Sequence, residues 1–289
     1  MADLTNHTIV VTGATSGIGE VTARALAQQG ARVVLLARSA AKAAATQATI
    51  RAAAGHDRVE TVLADLADFG QVRRAAAEIT ARYPRLDGLV NNAGLFFGSA
   101  RTTSPDGHEM TLATNHLGPF LLTALLFEPL RRSPAARIVN VASTAYKMAK
   151  PDFNDFDLTR GYGAMLAYGN SKLYNILFTQ ELARRLRAHG IANVATNSVH
   201  PGVVATGFAS DSGGLMGLGF KLMRPFLLSA EQGAATSIYL ASAPEVAQVS
   251  GGHYEKKRAE PVKSSFNTPE NARRLWELSE QLTGTQFLD

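Results

Sequence analysis

Cysteine is absent from the 289 residues, which excludes disulfides and thiolate chemistry and fits a cytoplasmic location. No apolar run reaches the roughly 18 residues that a membrane span requires. The opening stretch, Met1 to His7, is too short and polar for a signal peptide. Charge is modest: 18% of residues are charged, with a formal net charge of +5. The arginines are scattered along helical segments (Arg73, Arg74, Arg82, Arg184, Arg185, Arg187), near acidic neighbours. That is the pattern of solvated helix faces, and no nucleic-acid partner is expected. Linker-like, repeated and low-complexity segments are lacking too, so a single domain over 1–289 is expected. A hydrophobic content of 46% is enough for a sizeable core.

What is present is alternation. Apolar β-rich runs at Thr8 to Val11, Arg32 to Ala37, Val59 to Leu63, Gly88 to Val90, Arg137 to Val141 and Asn193 to Val199 are interleaved with helical patterns. This predicts an α/β, Rossmann-type doubly wound fold with a parallel sheet of about seven strands. Strands buried on both faces read as continuous apolar runs, as these do. The order suggests a cofactor half over about 1–145, a catalytic helix and substrate lid over about 146–242, and a tail and helix over about 243–289. Late helices are expected from Ser229 to about Ala241 and after Thr268-Pro269, an N-cap followed by proline at the first helical position. Trp276 should be core, and Lys256-Lys257-Arg258 a solvated turn.

Directly after the first strand comes Thr12-Gly13-Ala14-Thr15-Ser16-Gly17-Ile18-Gly19. Glycines there permit a tight turn and close approach to a pyrophosphate. The helix from Gly17 would then aim free N–H groups and its dipole at the negative charge. The second strand ends Leu36-Ala37-Arg38, with no carboxylate to take a ribose 2′-hydroxyl. Arg38 instead suits the 2′-phosphate of NADP(H). Asp65-Leu66 after the third strand suits an adenine amino group, and Asn91-Asn92-Ala93-Gly94 ends the fourth strand where a loop must pass the cofactor.

Tyr-x-x-x-Lys occurs twice, at Tyr146–Lys150 and Tyr168–Lys172, so the spacing alone decides nothing. On a helix the two side chains share a face one turn apart, and the cation should lower the phenol's pKa. Only the Tyr168 copy lies on an unbroken helical pattern; Pro151 interrupts the other. Tyr146 is left as a candidate wall of a substrate site.

Thr12 to Gly19, Asn91 to Gly94, Asn115, Ser143 and Tyr168 to Lys172, in this order and spacing, together resemble the short-chain dehydrogenase/reductase family over nearly the whole chain. The resemblance implies a catalytic set of Ser143, Tyr168, Lys172 and Asn115 and no metal. Ser143 would stabilise the carbonyl oxygen, and Tyr168 would exchange the proton. Lys172 would also hold the nicotinamide ribose, and Asn115 would help hold a water leading to solvent. The segment His200-Pro201-Gly202-Val203 to Thr206 matches the family's Pro-Gly segment, with Pro201, Val203 and Thr206 near the carboxamide; His200 is read as structural. Family members associate through the helices that follow Asn115 and Tyr168. Apolar residues on more than one face there (Phe120, Leu121, Leu125; Ile176, Leu177, Phe178) therefore suggest a homodimer or homotetramer.

A narrower similarity, in Phe153 to Leu158, Ala167 to Leu173 and Leu275 to Ser279, is to the retinol-dehydrogenase-like branch. It implies lipophilic alcohols and carbonyls as substrates. The chain begins directly before the first strand, so a membrane anchor and retinoid specificity are not carried over. Phe96, Phe97 and Phe208 are further candidate substrate contacts, and the glycine-punctuated apolar segment Phe208 to Leu228 is expected to form a lid. The rival readings are an NADP(H)-sensing regulator without activity, which would typically lack the Tyr/Lys pair, and an extended-branch epimerase or dehydratase. The chain length and glycine spacing disfavour the latter.

Overall fold

The computed structural model describes residues 2–204 and 228–288. Along the chain run β1 (Thr8–Thr12), α1 (Gly17–Gln28), β2 (Arg32–Ala37), α2 (Ala40–Ala54), β3 (Val59–Leu63), α3 (Phe69–Arg82) and β4 (Gly88–Asn91). A helical stretch follows as α4 (Met110–Leu112), a π turn (Ala113–Leu117), α5 (Gly118–Leu125) and α6 (Phe127–Arg131). Then come β5 (Ala136–Val141), a 3₁₀ turn (Thr144–Met148), α7 (Ala164–Ala188) and β6 (Val194–His200). The chain closes with α8 (Ala230–Ser242), β7 (His253–Glu255), β8 (Arg258–Ala259) and α9 (Pro269–Thr283). No described helix is long and apolar enough to cross a membrane.

The strands form one sheet in the order β3-β2-β1-β4-β5-β6-β7-β8, parallel except for the last pair. Among the described residues the sheet has eight strands, one more than the expected count of about seven. The difference comes from the hairpin β7–β8, whose tight turn places Lys256 and Lys257 at φ 48° and 63°. Two-residue turns of this kind favour Gly or Asn, so two lysines gave no hairpin signal. Arg258, expected in the turn, is the first residue of β8.

The continuous apolar strands have a direct explanation. Successive side chains point to opposite faces. Val10, Val34 and Leu36 join the core under α3, α5, α7 and α9, while Ile9, Val11, Val33 and Leu35 join the one under α1, α2 and α8. The α9 helix starts as expected: Thr268 accepts from the Asn271 N–H at 3.2 Å, Pro269 is at N1, and Gly284 ends it at φ 59°.

The apolar residues that suggested a subunit interface are covered within the chain. Phe120, Leu121, Ile176, Leu177 and Phe178 are all buried. The Trp276 ring of α9 lies edge-on to Phe120 at 5.2 Å and stacked on Phe178 at 5.8 Å, and Phe287 reaches Phe120 at 5.5 Å. Apolar residues on two helix faces call for a cover, and here α9 with the tail supplies it. These five therefore carry no argument for association; the sixth, Leu125, is half-buried.

Candidate active site

The strand order reverses between β1 and β4, so consecutive crossovers leave in opposite directions and open a crevice at the carboxyl ends of the strands. Ligands of open α/β sheets bind at such switch points. The sequence-predicted residues that fall within the described chain follow the carboxyl ends of β1 to β6; Thr206, Phe208 and the expected lid lie outside it.

At the end of β1, Gly13 and Gly17 have φ of 62° and 55°, conformations in which a side chain is strained. A Cβ on Gly13 would sit 2.8 Å from the Ala93 Cα, and one on Gly19 would run into the Gly13 carbonyl and the Asn92 amide. The turn is thus compressed against Asn92 and Ala93. Ser16 begins α1 but its side chain makes no capping bond, so its hydroxyl and the first-turn N–H groups remain available for an anion. Thr15 and Ile18 are half-buried beside it.

Thr12, the first residue of the glycine motif, ties this loop to the next. Its hydroxyl accepts from the Asn92 N–H at 3.1 Å and the Ala93 N–H at 2.9 Å, and Asn92 Nδ2 returns a bond to the Thr12 carbonyl at 3.0 Å. Asn91 and Asn140 are register partners on β4 and β5 and share a 2.9 Å side-chain bond. Their only sequence signal is a polar residue in an otherwise apolar strand.

Arg38, past β2, is exposed and lies 3.7 Å from the Asp65 carboxylate. A surface pair at this distance is weak, so Arg38 is free to turn to another anion. Asp65 also accepts from the Ala67 N–H at 3.0 Å, and the buried Leu66 presents its carbonyl to Gly118 at the start of α5.

Ser143 follows β5 and caps the 3₁₀ turn, accepting from the Ala145 N–H at 3.2 Å. Its hydroxyl also acts on the Tyr168 phenol, favouring the ionised form. This meeting depends on Gly169: a Cβ there would be 2.9 Å from the Ala145 carbonyl, so the glycine lets α7 lie against the turn. His200 accepts from the Thr144 N–H at 3.2 Å, which makes its role that of a brace. Lys172 is buried one helical turn on from Tyr168, donates to the Val141 carbonyl at 3.1 Å, and lies 5.5 Å from the Tyr168 ring centroid. Asn175 donates to the same carbonyl at 3.1 Å. Gly94 gives Lys172 its room, since a Cβ there would sit 2.9 Å from Nζ.

Asn115 lies in the π turn. Its Oδ1 accepts from the Leu95 N–H at 2.8 Å, and its Nδ2 donates to the Leu95 carbonyl at 2.9 Å and to Ser171 Oγ at 3.1 Å. The side chain thus clamps the segment after Gly94 to α7. Phe96, on that segment, meets the Tyr168 ring edge-on at 5.8 Å, with Phe97 half-buried next to it. Pro201 is half-buried and Val203 exposed, and the Leu228 N–H returns to the Val203 carbonyl at 2.9 Å. Tyr146 is placed otherwise than expected. It is buried edge-on to His253 at 5.6 Å with its hydroxyl accepting from the Lys263 N–H at 3.2 Å, an anchor for the tail. Lys150 lies past the 3₁₀ turn and shares no helix with it.

The expected direction of the phenol's shift is reversed. Burial pushes Tyr168 up to about 12, with Ser143 pulling the other way, and burial pulls Lys172 down to about 8. The ammonium is bonded to the Val141 carbonyl, and desolvation dominates both groups. The consequence suits an acid, because at neutral pH Tyr168 holds its proton and Lys172 is largely charged.

A lysine whose folded-state pKa is depressed binds protons less readily folded than unfolded. Stability therefore rises as pH climbs from about 8 towards the unfolded value of about 10.4. Lys172→Met is expected to melt higher than the wild type at pH 7, with the gap closing by pH 10. A lower melting temperature for the variant at pH 7 would contradict the buried-charge assignment.

Residues 7–216 match the family model described as short chain dehydrogenase. The chain is 39% identical over 279 residues to retinol dehydrogenase 12 of Mus musculus, covering 96% of this chain and 87% of that protein. It is 40% identical over 281 residues to retinol dehydrogenase 11 of Homo sapiens, covering 97% and 87%. An uncharacterized protein of Mycobacterium Paratuberculosis superposes with a TM-score of 0.79 at 34% identity, over 99% of this chain and 97% of that one. A short chain dehydrogenase of Burkholderia cenocepacia J2315, solved in complex with NADP, gives 0.68 at 28% identity, over 87% and 96%. The protein belongs to the short-chain dehydrogenase/reductase family of oxidoreductases.

Proposed function

We propose that the protein is an NADP(H)-dependent oxidoreductase acting on a lipophilic carbonyl–alcohol pair. The observation that carries this reading is the convergence of Ser143, Tyr168 and the buried Lys172, whose ammonium lies 5.5 Å from the Tyr168 ring centroid, at the carboxyl ends of the strands that also bear the glycine loop. The residues fit a dinucleotide: Gly13 to Gly19 and the uncapped start of α1 for the pyrophosphate, Arg38 for a 2′-phosphate, and Asp65–Leu66 for adenine. Asn92 to Gly94, Lys172, Pro201 and Val203 would line the nicotinamide end. When bound, the nicotinamide supplies the hydride in reduction and accepts it in oxidation.

The chain's own residues manage the oxygen. Ser143 donates to the carbonyl oxygen, and Tyr168 gives that oxygen its proton. The phenolate left behind is stabilised by the Lys172 ammonium, an interaction strengthened by the dry surroundings. In the oxidative direction Tyr168 takes the proton back. Asn115 fixes the floor of the site by holding Leu95 against α7. Phe96 lies edge-on to the Tyr168 ring, and exposed apolar side chains at Met148 and Met165, on the 3₁₀ turn after Ser143 and at the start of α7, support a lipophilic substrate.

A panel of aliphatic, terpenoid, steroid and retinoid carbonyls, followed by loss of NADPH absorbance, tests the reading. Turnover of none of them would favour a cofactor-binding regulator. Arg38→Asp is expected to move the NADPH/NADH preference in kcat/KM towards NADH by about 10- to 100-fold, the worth of one hydrogen-bonded ion pair. An unchanged ratio would place the 2′-phosphate elsewhere.

A further inference from the structure

The mechanism above makes no use of His116, which follows Asn115 in the π turn and is buried. Its ring is enclosed by Tyr174, Phe178 and Phe120, with centroids at 5.5, 6.2 and 6.3 Å. Burial in this cage pulls its pKa down to about 3, so the imidazole is neutral. The ring lies 2.9 Å through Nε2 from the Ser279 hydroxyl of α9, also buried, and Ser279 Oγ donates to the Leu275 carbonyl at 2.7 Å. With its proton spent on Leu275, Ser279 can only accept, so Nε2 carries the ring's hydrogen. Asn175, which donates to the carbonyl that also holds Lys172, is a further polar side chain against the ring.

An apolar residue would fill an aromatic cage without the cost of burying an imidazole, and replacing both partners of a buried polar pair with apolar groups is often neutral for stability. What the pair adds is geometry. A π turn is a rare and locally unfavourable distortion, found mostly where a helix serves a site, and it needs tertiary contacts to hold its phase. His116 and Asn115 are adjacent, so fixing one to α9 fixes the direction in which the other meets Leu95 and Ser171.

We propose that His116 is a positioning residue, whose bond to Ser279 makes α9 part of the scaffold that sets the π turn and aims Asn115. The role rests on the reductase reading given above. Three variants test it: Ser279→Ala, His116→Leu, and His116→Gln, whose amide nitrogen can stand in for Nε2. Ser279→Ala and His116→Leu are expected to stay folded, with kcat lowered about 10- to 100-fold and KM nearly unchanged, as for a misplacement remote from the chemistry. Amide exchange at Leu95, the N–H that Asn115 accepts, is expected to quicken in both, and His116→Gln to recover most of the loss.

The exchange measurement needs no substrate. It decides the role of His116 even in a protein that reduces no carbonyl, a result that would count against the proposed function and not against this bond. Wild-type kcat together with unchanged Leu95 exchange in Ser279→Ala would overturn the proposal, whatever the fate of His116→Leu.

Discussion

Tyr168→Phe is expected to lower kcat for carbonyl reduction by about 100- to 10,000-fold, the range for removal of a positioned general acid, while leaving NADPH affinity nearly unchanged. The phenyl ring keeps the edge-on contact with Phe96 and the place of Tyr168 near Lys172. Only the hydroxyl goes, and with it the partner of Ser143. Stopped-flow turnover and fluorescence titration with NADPH separate the two effects. Retained turnover would remove Tyr168 from the mechanism; lost NADPH binding would mean the hydroxyl serves the cofactor and not the substrate oxygen.

The second large effect concerns the fold. Trp276→Ala is expected to cost about 3–5 kcal/mol, the usual range for deleting a large buried aromatic side chain, and to lower Tm by on the order of 10 °C. Trp276 is 1% exposed, meets Phe287 at 4.7 Å, and lies under the Arg185 guanidinium at 4.6 Å. Its Nε1 has no hydrogen-bond partner among the described residues, so its contribution is contact area and the cation–π interaction. Trp276→Phe should therefore retain much of the stability. Differential scanning calorimetry decides; a Tm for Trp276→Ala near that of the wild type would show that α9 is not part of the cooperative core.

Much of the site could be read before folding because its chemistry demands fixed residue types at fixed spacing. The glycines before α1, Ser143 after β5, and Tyr168 with Lys172 on α7 are of this kind. Their pKa values could not be read that way. A Tyr-x-x-x-Lys pair on an exposed helix would behave as the spacing suggests, but desolvation depends on what the rest of the chain lays over it. The same limit explains the residues taken for a subunit interface. Phe120 and Phe178 show that a cover is needed and say nothing about which chain provides it. The bonding roles of Thr12, Asn91 and Asn140 were hidden because a threonine or asparagine carries meaning only through its partner, and those partners are distant in sequence. The β7–β8 hairpin was hidden by lysines at positions where glycine or asparagine would have marked a turn.

The cover formed by α9 has a consequence for the order in which the protein can be completed. The aromatic face on α5 and α7 is present once Phe178 has been synthesised, but its cover comes from Trp276 and Phe287, far later in the sequence. Until then the growing chain holds a finished α7 with an uncovered back. The core behind α7 therefore closes only after α9 and Phe287 have been made.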